Sequence, residues 1–282
     1  MEMTITTTSF KSIVASQRHH PSEYLWRRCL SINSQFCEAV VSTGYLSWEQ
    51  MVSAACRYRL GASKQGGVIF WQIDQEERVR DGKVMYYGSD CHRLKDKDHH
   101  PTWVSTLLRL RNPFPNSPHE TSHCFFGLHL ISPLEERFFR PPLTPPNLGG
   151  ETAIAVVEAE KTAMIMSEFY PKYVWLAAGG LGEVQVEKFR PLRGHKVVLF
   201  PDTDPNGITF RRWSEAATLV MQQSFWENSP PIRVSPVLEL YATPKQKQAK
   251  IDLVDFLFVT QISCVPMVAS DQRSSAQITQ IF

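Results

Sequence analysis

The feature that most constrains this 282-residue chain is a regular alternation in its second half. Three short apolar runs, IAVVE at 154–158, YVWLA at 173–177 and KVVLF at 196–200, are each followed by a segment of helical composition or a tight turn. Runs that are apolar at nearly every position suit strands buried on both faces. Strands that alternate with helices join as parallel βαβ units. Helices are expected over 161–170 (stopped by Pro171), over 183–189 and over 209–223, and a further strand over 232–240.

In an open parallel sheet, ligands sit at the carboxyl ends of the strands. Glu158 ends the first run, and Asp202 and Asp204 lie just beyond the third. If those strands are neighbours, three carboxylates gather at one edge. Residues at i and i+2 of an extended segment point the same way, so Asp202 and Asp204 are expected to serve one ion together. Hard oxygen donors suit Mg²⁺, and Mn²⁺ in its place, and such a site favours phosphoryl transfer. Taken alone, DTDPNG at 202–207 also fits a plain Asx turn.

The segment PPLTPPNLGG at 141–150 cannot hold a helix or a central strand, and it divides the chain. We expect a partly disordered or helical segment over 1–44, a basic α+β subdomain over 45–140, a linker over 141–151, the α/β domain over 152–260 and a tail over 261–282. In the first half, SWEQ at 47–50 has the Ser-x-x-Gln pattern of a helix capping box. Residues 66–74 and 83–87 read as two antiparallel strands joined by a turn region over 76–82, with a short helix near 103–110.

Composition excludes several classes. Hydrophobic residues make up 43% of the chain, enough for a packed core. No apolar run approaches the ~20 residues that span a bilayer. The N-terminus shows no leader-like stretch, so a soluble cytoplasmic protein is expected. The six cysteines form no CxxC pair, so no zinc ribbon is expected. His92, His99, His100, His119, His123 and His129 crowd together, with Cys91 and Cys124 among them, but match no zinc spacing. Net charge is +2, with the basic excess in the first half. There, basic and aromatic residues interleave, as they do where phosphates are paired and bases stacked. Arg78, Arg80, Lys83 and Arg93 are the nucleic-acid candidates, and Lys161 joins them from beside Glu158.

The ordered set of motifs resembles the Toprim domain, the α/β unit of primases and topoisomerases. VVEAEKTA at 156–163 resembles its glutamate motif, AGG at 178–180 the turn after its second strand, and PDTDPNG at 201–207 its DxD motif. IDLVDFL at 251–257 resembles the acidic motif that follows the last strand in primases. Upstream, GVIFWQIDQEERVR at 67–80 and FFGL at 125–128 resemble the subdomain that precedes Toprim in primases. Overall the chain is similar to primase-like proteins of Bacteroidota and their mobile elements.

The resemblance implies a Rossmann-like, mainly parallel sheet flanked by helices, preceded by a smaller α+β subdomain. It implies Mg²⁺ or Mn²⁺ at Glu158, Asp202 and Asp204, with Glu158 as general acid/base or ligand and Asp252 and Asp255 peripheral. The implied activity is primase-like nucleotidyl transfer on single-stranded DNA with NTPs, alongside a helicase or mobilisation proteins. A Toprim nuclease and a non-catalytic DNA-binding accessory are the alternatives. Two departures stand out. No paired cysteines supply a zinc ribbon, and ETSHC at 120–124 lacks the Lys that many primases place before the FGL-like segment.

Overall fold

The computed structural model describes residues 30–111, 123–131 and 153–262. The 141–151 linker, His119, Cys29, Cys264 and the stretches 1–29 and 263–282 lie outside the described residues. The chain divides into two compact units, Met1–Thr144 and Pro145–Phe282.

The first unit is an antiparallel sheet with helices. Helix α1 (Gln35–Ser42) starts at Ser34, whose hydroxyl accepts from Cys37 N. Helix α2 (Trp48–Tyr58) starts with the capping box read from the sequence: Gln50 N donates to Ser47 Oγ at 3.2 Å, and Ser47 N donates to Gln50 Oε1 at 2.9 Å. Strands β1 (Gly61–Ala62), β2 (Val68–Ile73), β3 (Val79–Met85) and β4 (Thr102–Trp103) pair in that order. Helix α3 (Val104–Arg111) follows, and a 3-10 turn occupies Leu128–Ile131.

Every residue of β2 is buried, because both of its faces are covered. On one face Phe70 packs edge-on against Phe36 and Phe126, each with ring centroids 5.4 Å away. On the other, Ile69, Trp71 and Ile73 pack with Val79, Val84 and Val104.

The turn between β2 and β3 is shorter than the sequence suggests. It closes at Asp74, whose N–H donates to Arg78 O, with Glu77 at φ 63°. Gly82, read as a turn residue, sits inside β3 opposite Trp71. A Cβ there would lie 2.6 Å from the indole ring and 2.9 Å from Val104. The glycine is needed for space, not for its torsion angles.

The second unit is a sheet ordered β6-β5-β7-β8, built from β5 (Ala153–Val157), β6 (Tyr173–Ala177), β7 (Val197–Phe200) and β8 (Arg233–Val234), all pairs parallel. Helix α4 (Glu160–Phe169) follows β5 and is buried at every position through Ser167. A helix buried all round belongs to a core, not to a solvent-facing layer. Helix α5 (Ile208–Met221) follows β7.

Two sequence expectations change here. The helix over 183–189 is a pair of 3-10 turns, Leu181–Glu183 and Val186–Leu192, because Gly180 precedes the first, Gly182 lies within it and Pro191 interrupts the second. The strand over 232–240 is only the two residues of β8. Pro236 lacks the N–H that a ladder needs, and the chain turns there into helix α6 (Val237–Tyr241). Helices α7 (Pro244–Ala249) and α8 (Leu253–Ile262) complete the unit. Among the described residues no helix is long and apolar enough to cross a membrane.

Candidate functional site

The register of the parallel sheet decides which residues leave it together. Val157 of β5 stands beside Phe200 of β7 and Ala177 of β6. The next residues, Glu158 and then Asp202, therefore emerge at the same carboxyl edge. Backbone bonds continue past the strand ends. Ala178 N donates to Val157 O, and Gly179 N to Glu158 O, both at 2.9 Å. Gly179 has φ 95°, a conformation that a side chain would strain, so the small-residue turn is what allows this continuation. On the other side Thr203 N donates to Ile251 O at 3.2 Å, which ties the loop after β7 to the segment that leads into α8.

Asp202 is half-buried and accepts no hydrogen bond among the described residues. Burial, the Glu158 carboxylate and Asp252 push its carboxyl well above the usual carboxylate range, and the Lys161 ammonium offsets this only in part. Like charges held together in a partly dry place disfavour ionisation.

Asp204 behaves differently. Its Oδ2 accepts from Thr209 N at 2.6 Å and its Oδ1 from Asn206 N at 2.9 Å. Burial works against the ionised form, but these backbone N–H groups, with that of Ile208, outweigh it and pull the carboxyl down to about 2. The Asp204 carboxylate thus anchors the first turn of α5, across Gly207 at φ 63°. The i, i+2 expectation assumed an extended segment, and the chain has already turned at 204. Asp202 and Asp204 therefore have different surroundings.

Two further acids join this edge from 90 residues away in sequence. Asp252 lies immediately before α8, and its Oδ1 accepts from Asp255 N at 2.8 Å. Its Oδ2 accepts from Thr162 Oγ1 at 2.9 Å, a bond between residues 90 apart in the chain. Lys161 Nζ lies 3.1 Å from Asp252 Oδ2 and 3.4 Å from Asp255 Oδ1. Burial opposes the ionised Asp252, yet Lys161 and these donors hold it below the ordinary range. The residues read as peripheral are thus part of the acidic edge, and Lys161 is buried against them.

The other basic candidates lie in the first unit. Arg78 and Arg80 both bind the buried carboxylate of Asp74, at 2.9 and 2.7 Å. Lys83 is half-buried in β3, opposite Phe70 and Trp103. Arg93 is exposed, and its backbone bridges to Tyr87. The structure also collects residues that the sequence did not single out as a group. Asp81, fully buried, accepts from Ser105 Oγ at 2.6 Å and from Ser105 N at 3.1 Å, with His123 Nε2 at 3.4 Å. The His123 ring stacks on Trp103, centroids 3.9 Å apart. Burial opposes the Asp81 charge, but bonds from His123, Ser105 and Gly82 hold its carboxyl below the usual range.

The donor set at the acidic edge fits a hard divalent cation. All its donors are carboxylate oxygens, and the strain on Asp202 is of the kind that a cation relieves. Among the described residues no three His, Cys, Asp or Glu side chains close on a common point. Among the described residues a cage made of protein alone is therefore absent. Mg²⁺ does not require one, since it is commonly held by one or two carboxylates, waters and substrate phosphates.

No curated protein matches the chain. Among solved structures it is similar to the primase fragment of the bacteriophage T7 primase-helicase protein, at 18% identity and a TM-score of 0.40. The match covers 70% of this chain and 63% of that one, less than two thirds of its length. A family model for a domain of unknown function, DUF6371, matches residues 34–203, from the residue that caps α1 to the loop after β7. That span is more than half of the sequence, and the chain belongs to the DUF6371 family.

Proposed function

We propose that the second unit is a Toprim-type, metal-dependent domain and that the protein carries out primase-like nucleotidyl transfer on single-stranded DNA. One observation carries the reading: Glu158 and Asp202 leave adjacent parallel strands at one sheet edge, where burial and the Glu158 carboxylate push Asp202 up. In nucleotidyl transfer a 3′-hydroxyl oxygen bonds to the α-phosphorus of a nucleoside triphosphate, pyrophosphate leaves, and the hydroxyl proton is lost. Bound Mg²⁺ or Mn²⁺ supplies neutralisation of the charge on the phosphates. Glu158 is the residue placed to take the proton or hold the ion. Asp202 would hold the ion, and through it the triphosphate, and Asp204 fixes the loop that carries Asp202. Arg78, Arg80, Lys83 and Arg93 are proposed to contact the template backbone.

The test incubates the full chain with single-stranded DNA, NTPs and Mg²⁺ or Mn²⁺, alongside Glu158→Gln and Asp202→Ala. Oligoribonucleotides that both variants lose are expected. Cleavage of the template in their place would assign a nuclease on the same acids. DNA binding without turnover, unchanged in the variants, would leave a non-catalytic accessory of a replication or mobilisation system and overturn the proposal.

A further inference from the structure

We propose that the segment 240–250 is a docking strip for a single nucleic-acid strand, with Lys245 and Lys250 on its phosphates and Tyr241 under one of its bases. The inference rests on the nucleic-acid reading above, and it adds a strand-contacting surface in the second unit to the first-unit residues named there.

Helix α6 is seated by its first residues. Val237 and Leu238 are buried, and so is Ala242 just past its end. Leu240 and Tyr241 lie between them at 68% and 60% exposure, the most exposed large apolar side chains among the described residues. Helix α7 then starts at a capping box: Gln246 N donates to Thr243 Oγ1 at 3.3 Å, and Thr243 N donates to Gln246 Oε1 at 2.8 Å. Its lysines divide by partner. Lys247 Nζ donates to Glu239 O at 2.7 Å and lies 2.9 Å from Glu239 Oε1. Lys245 and Lys250 are exposed, and neither side chain meets an acidic partner among the described residues. A lone exposed Leu or Lys is ordinary surface. Here the exposed aromatic and the two unpaired cations share one short run that contains no acidic residue.

Both ends of this run are fastened to the loop that carries Asp202. At one end the Glu239 carboxylate packs on Gly207, where a Cβ would lie 3.2 Å from Oε1. At the other, Ile251 O accepts from Thr203 N at 3.2 Å. The strip therefore borders the acidic edge, whose carboxylates repel a polyanion, and its lysines supply the attraction that the edge lacks. Lysines pair with phosphates, and an exposed aromatic ring stacks on a base whatever its identity. A lipid surface is served less well. Interfacial helices bury an apolar face along their length, whereas α6 and α7, of five and six residues, present only Leu240 and Tyr241 as large apolar side chains.

The experiment follows the anisotropy of a fluorescent oligo(dT) titrated with the full chain in EDTA, over a series of salt concentrations. Circular dichroism on each sample confirms the fold. Tyr241→Ala should weaken binding about tenfold with its salt dependence unchanged, as for one lost base stack. Tyr241→Phe keeps the ring and should bind as wild type does. Lys245→Gln combined with Lys250→Gln should lower the slope of log K against log salt by about 1.4, at ~0.7 for each phosphate contact. Unchanged binding in Tyr241→Ala and in the double variant, from a wild type that makes oligoribonucleotides, would overturn the inference and leave the proposed function standing. Binding that depends on the strip, from a wild type that makes no product, would overturn that function and support the strip. A folded wild type that binds no strand would overturn both. Loss of binding to phosphatidylserine vesicles in these variants, with DNA binding intact, would reassign the strip to a membrane surface and overturn the inference.

Discussion

Asp204→Asn separates a structural role from a metal-binding one at a single residue. The carboxylate accepts backbone N–H groups from Asn206 and Thr209 and sits near 2. In an unfolded chain an aspartate titrates near ~3.9, and each unit of difference is worth about 1.4 kcal/mol. The ionised group therefore contributes up to about 2–3 kcal/mol at neutral pH. Asparagine keeps the shape and one acceptor oxygen, so the expected loss is about 1–2 kcal/mol, the range for removing a good helix cap.

Because the folded value lies below the unfolded one, this stabilisation is complete above about pH 5 and disappears as pH falls toward 2. The variant should be less stable than wild type at pH 7, with the deficit roughly halved at pH 3 and nearly gone near pH 2. Urea unfolding in EDTA checks this, with hydrogen exchange followed in peptides from 197–221 so that the signal belongs to this unit. Were Asp204 mainly an ion ligand repelled by its neighbours, removing its charge in EDTA would stabilise the protein. An Asn variant as stable as wild type at pH 7, or one with the same deficit at pH 7 and pH 3, would refute the capping argument.

Two other substitutions test neighbouring parts of the structure. Asp202→Asn should raise the melting temperature of the metal-free protein at neutral pH. The folded carboxyl is pushed up, so its ionisation costs stability as pH rises above the ordinary carboxylate range. The same variant should lose the stabilisation that added Mn²⁺ gives wild type; an unchanged or lowered metal-free melting temperature would count against the repulsion described here. Gly82→Ala should destabilise the first unit by about 1–3 kcal/mol, through overpacking against Trp71 and Val104. A melting temperature equal to wild type would show that the sheet can yield there.

The strands of the second unit were legible because they are buried on both faces. β5, β6 and β7 begin and end within a residue of the apolar runs that announce them. The capping box at Ser47 was legible because its geometry is local. Gly82 was misread because a glycine between two apolar runs signals a turn, whereas the demand here comes from the indole on the neighbouring strand. The strand over 232–240 failed at Pro236, which the apolar pattern does not register. At the site, Glu158 and Asp202 could be placed from strand ends alone. Asp204 could not, since its carboxylate is consumed by an Asx-type turn that the same six residues also allow. The pairing of Lys161 and Thr162 with Asp252 joins residues 90 or more apart and leaves no local pattern to find.

Besides the carboxylates of Asp204 and Asp252, main-chain atoms hold the loops at this edge. Val157 O and Glu158 O receive the N–H groups of 178 and 179, and Ile251 O receives that of Thr203. No substitution at 158, 202 or 251 deletes those carbonyls and amides. The frame is thus insulated from the chemistry it displays. Side chains at 158 and 202 are open to exchange, for a different ion or a different reaction, while the surrounding backbone keeps its course. For an engineer this makes the edge a socket, and 158 and 202 the first positions at which to refit it.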